Sequence, residues 1–435
     1  MPWWLILLLL FGSVLILLFL GLPIAFSLGF VSIVAACILW WPHPFRGFYG
    51  ISLSGFEEMT NYLLICVPLF ILMAEVIFRS GMGGDTYEVI HNFLAGFPGG
   101  LGMAAVIFGM VFGACCGAST AGTATVGLLS IPEMRKRGYH PGFAGAIVAF
   151  AGALSILIPP SVIFIIYGVL SGTSIGALFM GGVIPGVIAT ALACLYIFIK
   201  VKRNPELAPP GERVPLKKAL AALWRVWAML LIVVALLGVI YLGVATPTEA
   251  SALACLLVFL LAAVQRRLSW EIVRAAVLNT VKVTTMIGWI IVGAMAFGYV
   301  LIRSGAAVEL TEFVADLNVP VTVVVFCLML MYLFMGMFID PVGIILMTVP
   351  VLMPVLNTLG IDPLWFGVMV CINMCAGNIS PPMGLNIYIV KGIATDVPMS
   401  ELFREAWPFV FINAVVILLV LIFPSLATWL PSTMR

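Results

Sequence analysis

Apolar runs of about twenty residues recur along this sequence, separated by short polar clusters. A helix of that length crosses ~30 Å of hydrocarbon. The pattern predicts spans at roughly 3–20, 22–41, 60–78, 143–170, 176–199, 224–243, 249–264, 284–302, 365–391 and 408–426, with 143–170 and 365–391 broken. Segments 82–95, 268–282 and 304–318 read as interfacial helices. Two stretches, about 100–133 and 320–356, pair apolar arms too short to cross and are read as re-entrant hairpins. Ten crossings and two hairpins are therefore expected.

The pattern is least lipid-like at Gly113–Gly127, GACCGASTAGTATVG, where small and hydroxyl residues replace the usual Leu, Ile and Phe. Such residues also suit a helix-packing seam. A second signal favours a hairpin: Pro159 and Pro160 interrupt the apolar run from Phe143 to Leu170, and a double proline removes ladder donors and breaks a helix. Irregular backbone survives at membrane depth only where protein buries it or where it lines a wet cavity. The tip Cys116–Thr123 is therefore expected to face a binding site beside a broken helix, an arrangement with which secondary transporters build midplane sites.

At 63% hydrophobic and 9% charged over 435 residues, the chain is an all-α polytopic membrane protein. A net charge of +2 offers nothing for nucleic acid. Trp3–Leu20 lacks a basic amino-terminal flank and a small-residue cleavage site, so it reads as a retained span. Nine cysteines, three histidines and no C-x-x-C pair give no metal or redox motif, and the cysteines are read as packing.

A polar linker, Lys202–Lys218, with Pro205, Pro209, Pro210 and Pro215, falls near the middle. It divides the chain into 1–200, a linker or arm 201–223, and 224–435. These halves repeat: an offset of 222 lays Pro132 on Pro354, Gly138 on Gly360, Pro141 on Pro363, Gly145 on Gly367 and Pro159-Pro160 on Pro381-Pro382. An offset of 224 lays Arg79-Ser80-Gly81 on Arg303-Ser304-Gly305 and Pro23 on Pro247. Five crossings per half make the repeat inverted. With the amino terminus outside, all but Arg46, Arg303 and Arg435 of the 20 basic residues fall inside, as the positive-inside rule requires. Hairpin 1 then opens to the cytoplasm and hairpin 2 to the outside. Trp3, Trp4, Trp40, Trp41 and Trp429 belong to the outer aromatic belt.

By symmetry the second tip is Ile339-Asp340-Pro341. An acid at membrane depth is costly and usually functional, and a cation at the tip would offset that cost. Asp340 also suits a helix cap before Pro341, and the two roles are compatible. The second break, Gly377–Asn386, offers unwound carbonyls at Gly377–Ser380 and the side chains of Asn378 and Ser380, hard oxygen ligands of the kind Na⁺ accepts. The expected ion ligands are Gly117, Ser119, Thr120, Thr123, Asp340, Gly377, Asn378 and Ser380. Half-helix amino termini after Pro160 and Pro382 favour a carboxylate substrate. Its expected contacts are Ser119, Thr123, Ser155, Pro160, Ser161, Pro382 and Asn386. Glu75 reads either as a proton relay or as a structural hydrogen bond at a helix interface. Thr246-Pro247-Thr248-Glu249 reads as a helix start, Arg79 and Arg303 as helix-end residues snorkelling to an interface, and Met329–Met337 as packing.

In this order, GASTAGTATVG (117–127), ILIPPSVIFIIYG (156–168), ATPTEASA (245–252), GMFIDPVGIILMTVPVLMPV (336–355) and NISPPMGLNIYIV (378–390) resemble the large membrane subunit of tripartite ATP-independent periplasmic (TRAP) transporters, within the ion transporter superfamily. The resemblance covers essentially the whole chain. It implies elevator-type, Na⁺-coupled uptake of an organic acid across a bacterial inner membrane. It also implies a small four-helix membrane subunit, here expected as a separate chain, and a soluble periplasmic substrate-binding protein. A stand-alone Na⁺/carboxylate symporter of the same superfamily shares the hairpins and breaks. A channel should show polar stripes or charged rings along several spans, which these spans lack. An enzyme would need a nucleophile, a metal cluster or paired acids, and the sequence shows no such signal, so neither a cofactor nor a catalytic residue is expected.

Overall fold

A computed structural model describes residues 2–209, 214–317 and 319–434. Pro210 of the linker and Arg435 of the expected outer set lie outside them. The described residues form helices and no strand. In the first half these are α1 (Trp3–Phe19), α2 (Ile24–Leu39), α3 (Pro44–Met59), α4 (Cys66–Arg79), α5 (Met82–Leu94), α6 (Gly100–Cys116), α7 (Ser119–Lys136), α8 (Pro141–Ala153), α9 (Val162–Ser171) and α10 (Ile175–Arg203). After the linker helix α11 (Leu216–Ala222) follow α12 (Trp227–Tyr241), α13 (Pro247–Val264), α14 (Trp270–Arg303), α15 (Ala306–Asp316), α16 (Val321–Gly336) and α17 (Pro341–Thr358). The chain ends with α18 (Pro363–Gly377), α19 (Leu385–Ile393), α20 (Met399–Ile422) and α21 (Ser425–Ser432).

Six helical stretches are individually long and apolar enough to cross a membrane, and the pair Lys217–Arg225 with Trp227–Tyr241, bent by 61°, would make a seventh. α1, α2, α6, α9, α16 and α18 are apolar but shorter. The two predicted breaks are present. A short 3₁₀ turn, Leu154–Ile156, ends the first arm before Pro159, and α18 stops at Gly377, four residues before Pro381. Thr246 and Glu249 form the predicted cap reciprocally: Glu249 N–H donates to Thr246 Oγ1 at 3.3 Å, and Thr246 N–H donates to Glu249 Oε2 at 2.8 Å.

Three expectations need correction. Segments 268–282 and 284–302 are one 34-residue helix, α14. Lys282 and Thr285 are exposed on it, and no Gly or Pro lies between Trp270 and Ile287 to stop it. α3 was not predicted at all. Gly47, Gly50 and Gly55 are its buried face, and a Cβ on Gly50 would overlap the Tyr299 ring of α14. The hairpin arms, expected to be too short to cross, run to 16 to 18 residues, and α17 is itself one of the six stretches long and apolar enough to cross; at tip 1 only Gly117 and Ala118 leave the helix. Gly117 reverses the chain at φ +62°, and helix resumes at Ser119 rather than after Thr123.

The centre of the molecule is α8 and α18, whose stretches Gly142–Ala153 and Phe366–Gly377 are buried residue by residue. Two thiols on α18 reach across to the first break, Cys371 donating to the Ile156 carbonyl at 2.9 Å and Cys375 to that of Ala153 at 3.2 Å. The second arm of each hairpin packs against the post-break helix of the other half: α7 on α19, and α17 on α9. α14 crosses against α2, α3, α4 and α17, so it touches hairpin 2 while being anchored among the amino-terminal helices.

Candidate functional site

The crossed arrangement brings both tips to one place. A cavity of about 80 Å³ lies between them, lined from tip 1 by Gly117–Thr120, from tip 2 by Asp340, Pro341 and Val342, and from the breaks by Val162, Ile163, Asn378 and Leu385. Its remaining wall is apolar: Ile71 of α4, Ile156, and Val283, Met286 and Ile287 of α14. At ~30 Å³ per water, the space takes two or three water-sized occupants.

The polar groups facing this space are neutral oxygens and one carboxylate. Asp340 Oδ2 accepts the Val342 N–H at 3.0 Å, so the acid does cap α17, and it lines the cavity as well. Asn378 is buried and its Oδ1 has no hydrogen-bond partner. An orphaned acceptor in a buried place is costly unless a cation or donor satisfies it. Ser119 lies at the cavity's edge and donates to Asn386 Oδ1 at 2.9 Å, while Asn386 Nδ2 donates to the Ala149 carbonyl at 3.1 Å. Asn386 thus ties tip 1 to α8 across the second break.

Of the expected ion ligands, the structure brings Gly117, Ser119, Thr120, Asp340 and Asn378 together at the cavity. It does not bring the others there. Thr123 is buried behind the tip with Oγ1 unpartnered. Gly377 lies against Gly336, whose Cα would be 2.7 Å from an added Cβ, so this glycine serves close helix packing. Ser380 turns its hydroxyl back to the Ala376 carbonyl at 2.7 Å. The expectation of free carbonyls at Gly377–Ser380 needs correction at its first two positions: the Gly377 carbonyl accepts from Ser380 N–H at 3.1 Å and that of Asn378 from Asn386 N–H at 3.0 Å. The break closes into turns because its own amides are the nearest donors.

Among the expected substrate contacts, Ser119 lines the cavity and Asn386 stands one hydrogen bond behind it. Ser161 caps α9, accepting the Phe164 N–H at 3.4 Å. Pro160 packs its carbonyl against tip 1, 2.6 Å from where a Cβ on Gly117 would lie. Ser155 is buried with Oγ unpartnered, facing Gly113 and Gly122. Pro382 is exposed and away from the cavity, because the turn Ser380–Met383 carries it outward. The α14 and α4 residues that close the cavity had no signal in sequence, since an apolar wall in an apolar chain has no contrast. Glu75 joins α4 to α14, accepting from Asn279 Nδ2 at 2.6 Å and pairing with Arg79 at 2.8 Å, which supports the structural reading of that acid.

Asn386→Ala should lower the melting temperature in detergent, because it strands the buried Ser119 hydroxyl at about 1–3 kcal/mol and removes the tie to α8. Melting identical to wild type would mean that this tie does not hold tip 1.

Comparison with known proteins follows the same outline. The family described as "Tripartite ATP-independent periplasmic transporter, DctM component" matches residues 11–426. The C4-dicarboxylate TRAP transporter large permease protein DctM of Vibrio cholerae is 31% identical, with 98% of this chain and 97% of the relative covered. The sialic acid TRAP transporter large permease protein SiaM of the same organism is 32% identical, with 96% of each covered. Among solved structures, the YdaH transporter of Alcanivorax borkumensis superposes with a TM-score of 0.62 over 91% of this chain and 95% of that one, at 13% identity, a likeness of fold alone.

Proposed function

The chain belongs to the DctM-component family of tripartite ATP-independent periplasmic transporters, and from that premise we propose that it imports an organic acid by Na⁺-coupled, elevator-type alternating access. It is a multi-pass membrane permease subunit. The observation that carries the proposal is the shared cavity, in which two hairpin tips converge with the Asp340 carboxylate, the orphaned Asn378 Oδ1 and the hydroxyls of Ser119 and Thr120. Hard oxygens around so small a space suit Na⁺. The α9 and α19 amino termini beside it favour the carboxylate of a substrate. The two Vibrio cholerae relatives are named for a C4-dicarboxylate and for sialic acid, both acids.

The recurrence of element order supports two inverted repeats, 1–200 and 224–435, joined by 201–223. α3 and α4 together correspond to α14, α5 to α15, α6 and α7 to α16 and α17, α8 and α9 to α18 and α19, and α10 to α20. The broken helices and hairpins form the moving body, and α14 with α2, α3 and α4 the anchored one, against which the small four-helix subunit packs. A periplasmic binding protein delivers the acid, and the basic residues orient the chain in a bacterial inner membrane. Each net positive charge moved inward gains ~2.3 kcal/mol per 100 mV, so a monoanion needs at least two Na⁺ for the potential to help. A stand-alone Na⁺/carboxylate symporter is the second reading, and membership of a tripartite family counts against it.

The test is uptake of a labelled acid into proteoliposomes holding this chain, its small partner and the cognate binding protein. Uptake should need all three proteins and an inward Na⁺ gradient. Undiminished uptake in Na⁺-free buffer under a pH gradient alone would overturn Na⁺ coupling.

A further inference from the structure

A second cavity, of about 430 Å³, shares no lining residue with the tip site and lies between α1, α15 and the two hairpin arms. Its walls include Leu7 and Phe11 of α1, Leu310 of α15, Leu328 of α16 and Val351 of α17. The hydroxyl of Thr348 is the one side-chain hydrogen-bonding group among its lining residues, and it is already engaged by Tyr332 Oη at 2.7 Å and the Ile344 carbonyl at 2.7 Å. Neither water nor an organic acid finds a partner there. Two aromatic contacts of α1 bracket the slot: Trp3 meets Phe313 of α15 at 5.1 Å, and Phe19 meets Phe338, beside the tip, at 5.8 Å.

We propose that this slot holds one acyl chain of a bilayer phospholipid whose headgroup is a net-neutral, amine-bearing one. The size decides against a protein helix, which is ~10 Å across. An apolar cavity of ~150 Å³ takes a benzene, so this one takes a single chain of roughly three times that bulk. Charge decides the headgroup. The slot's α15 end lies at the membrane boundary, because α15 exposes Glu309, Glu312 and Asp316 and no base, and none of the three is in an ion pair among the described residues. Three acids repel an anionic headgroup and attract an ammonium. The chain then reaches from that acidic rim to Ile339, next to Asp340, so it lies where α1 and hairpin 2 would slide past one another.

The test uses phosphatidylcholine vesicles holding the purified chain and a trace of phosphatidylethanolamine, or of phosphatidylglycerol, spin-labelled on the acyl chain. Phosphatidylethanolamine should show about one more motionally restricted lipid per protein than phosphatidylglycerol. Leu328→Trp, which fills the slot, should remove that one, and Leu7→Trp on the opposite wall serves if the first variant fails to fold. The double substitution Glu312→Lys and Asp316→Lys should reverse the headgroup preference while leaving the restricted count for the favoured lipid unchanged. The proposal is overturned if filling the slot leaves the count unchanged, if the two headgroups are retained equally, or if adding the small subunit displaces the label, which would make the slot a docking groove for that partner.

Discussion

Gly152→Ala should abolish uptake and remove most of the stability of the fold, although it adds a single methyl group. Gly152 sits on α8 directly under tip 1, and a Cβ there would overlap the Cα, Cβ and hydroxyl of Thr123 on α7. Ordinary overpacking costs about 1–3 kcal/mol because side chains yield; here the obstacle includes backbone, so the penalty should exceed that range or push hairpin 1 off α8. Thr123→Ala should not rescue the variant, since the Thr123 Cα and Cβ remain. Wild-type melting and uptake in Gly152→Ala would show that the hairpin does not rest where the structure puts it.

Asp340→Asn should leave melting in Na⁺-free detergent almost unchanged and raise the Na⁺ concentration for half-maximal uptake tenfold or more. Asn caps a helix about as well as Asp, so the bond from Val342 N–H at 3.0 Å survives the substitution. What is lost is the only carboxylate facing the tip cavity among the described residues. Loss of ~1.4 kcal/mol of pairing is tenfold in apparent affinity, well within reach of a titration. An unchanged Na⁺ dependence would leave Asp340 as a cap and assign any ion to the neutral oxygens of Ser119, Thr120 and Asn378.

The breaks and tips were legible in the sequence because proline and glycine contrast sharply with Leu, Ile and Val. Pro159-Pro160, Pro381-Pro382 and Ile339-Asp340-Pro341 each stand where the structure departs from helix. Asp340 and Asn378 were legible for the same reason, as polar residues where lipid forbids them. The shape around them was not. Nothing in Val283, Met286 or Ile287 separates a cavity wall from a lipid-facing surface, since hydropathy is alike on both sides of a buried membrane helix. α3 was missed because glycine usually argues against helix, whereas here Gly50 is required by the approach of Tyr299. Carbonyls drawn as free at Gly377 and Asn378 found local amides, a choice that spacing does not reveal. Ser380 and Thr123 were polar residues at the right depth whose side chains turn elsewhere.

The central claim is that the tip cavity opens alternately to the two sides of the membrane. It is tested most directly with Thr120→Cys, at the exposed first turn of α7, in a variant whose nine native cysteines are replaced. Labelling by a membrane-impermeant maleimide, applied separately from each face of oriented vesicles, should shift between faces when Na⁺ and substrate-loaded binding protein are added. A control cysteine at Ile38, exposed on α2, should not change. Labelling of Thr120→Cys from one face only, at a rate indifferent to Na⁺ and substrate, would contradict the account.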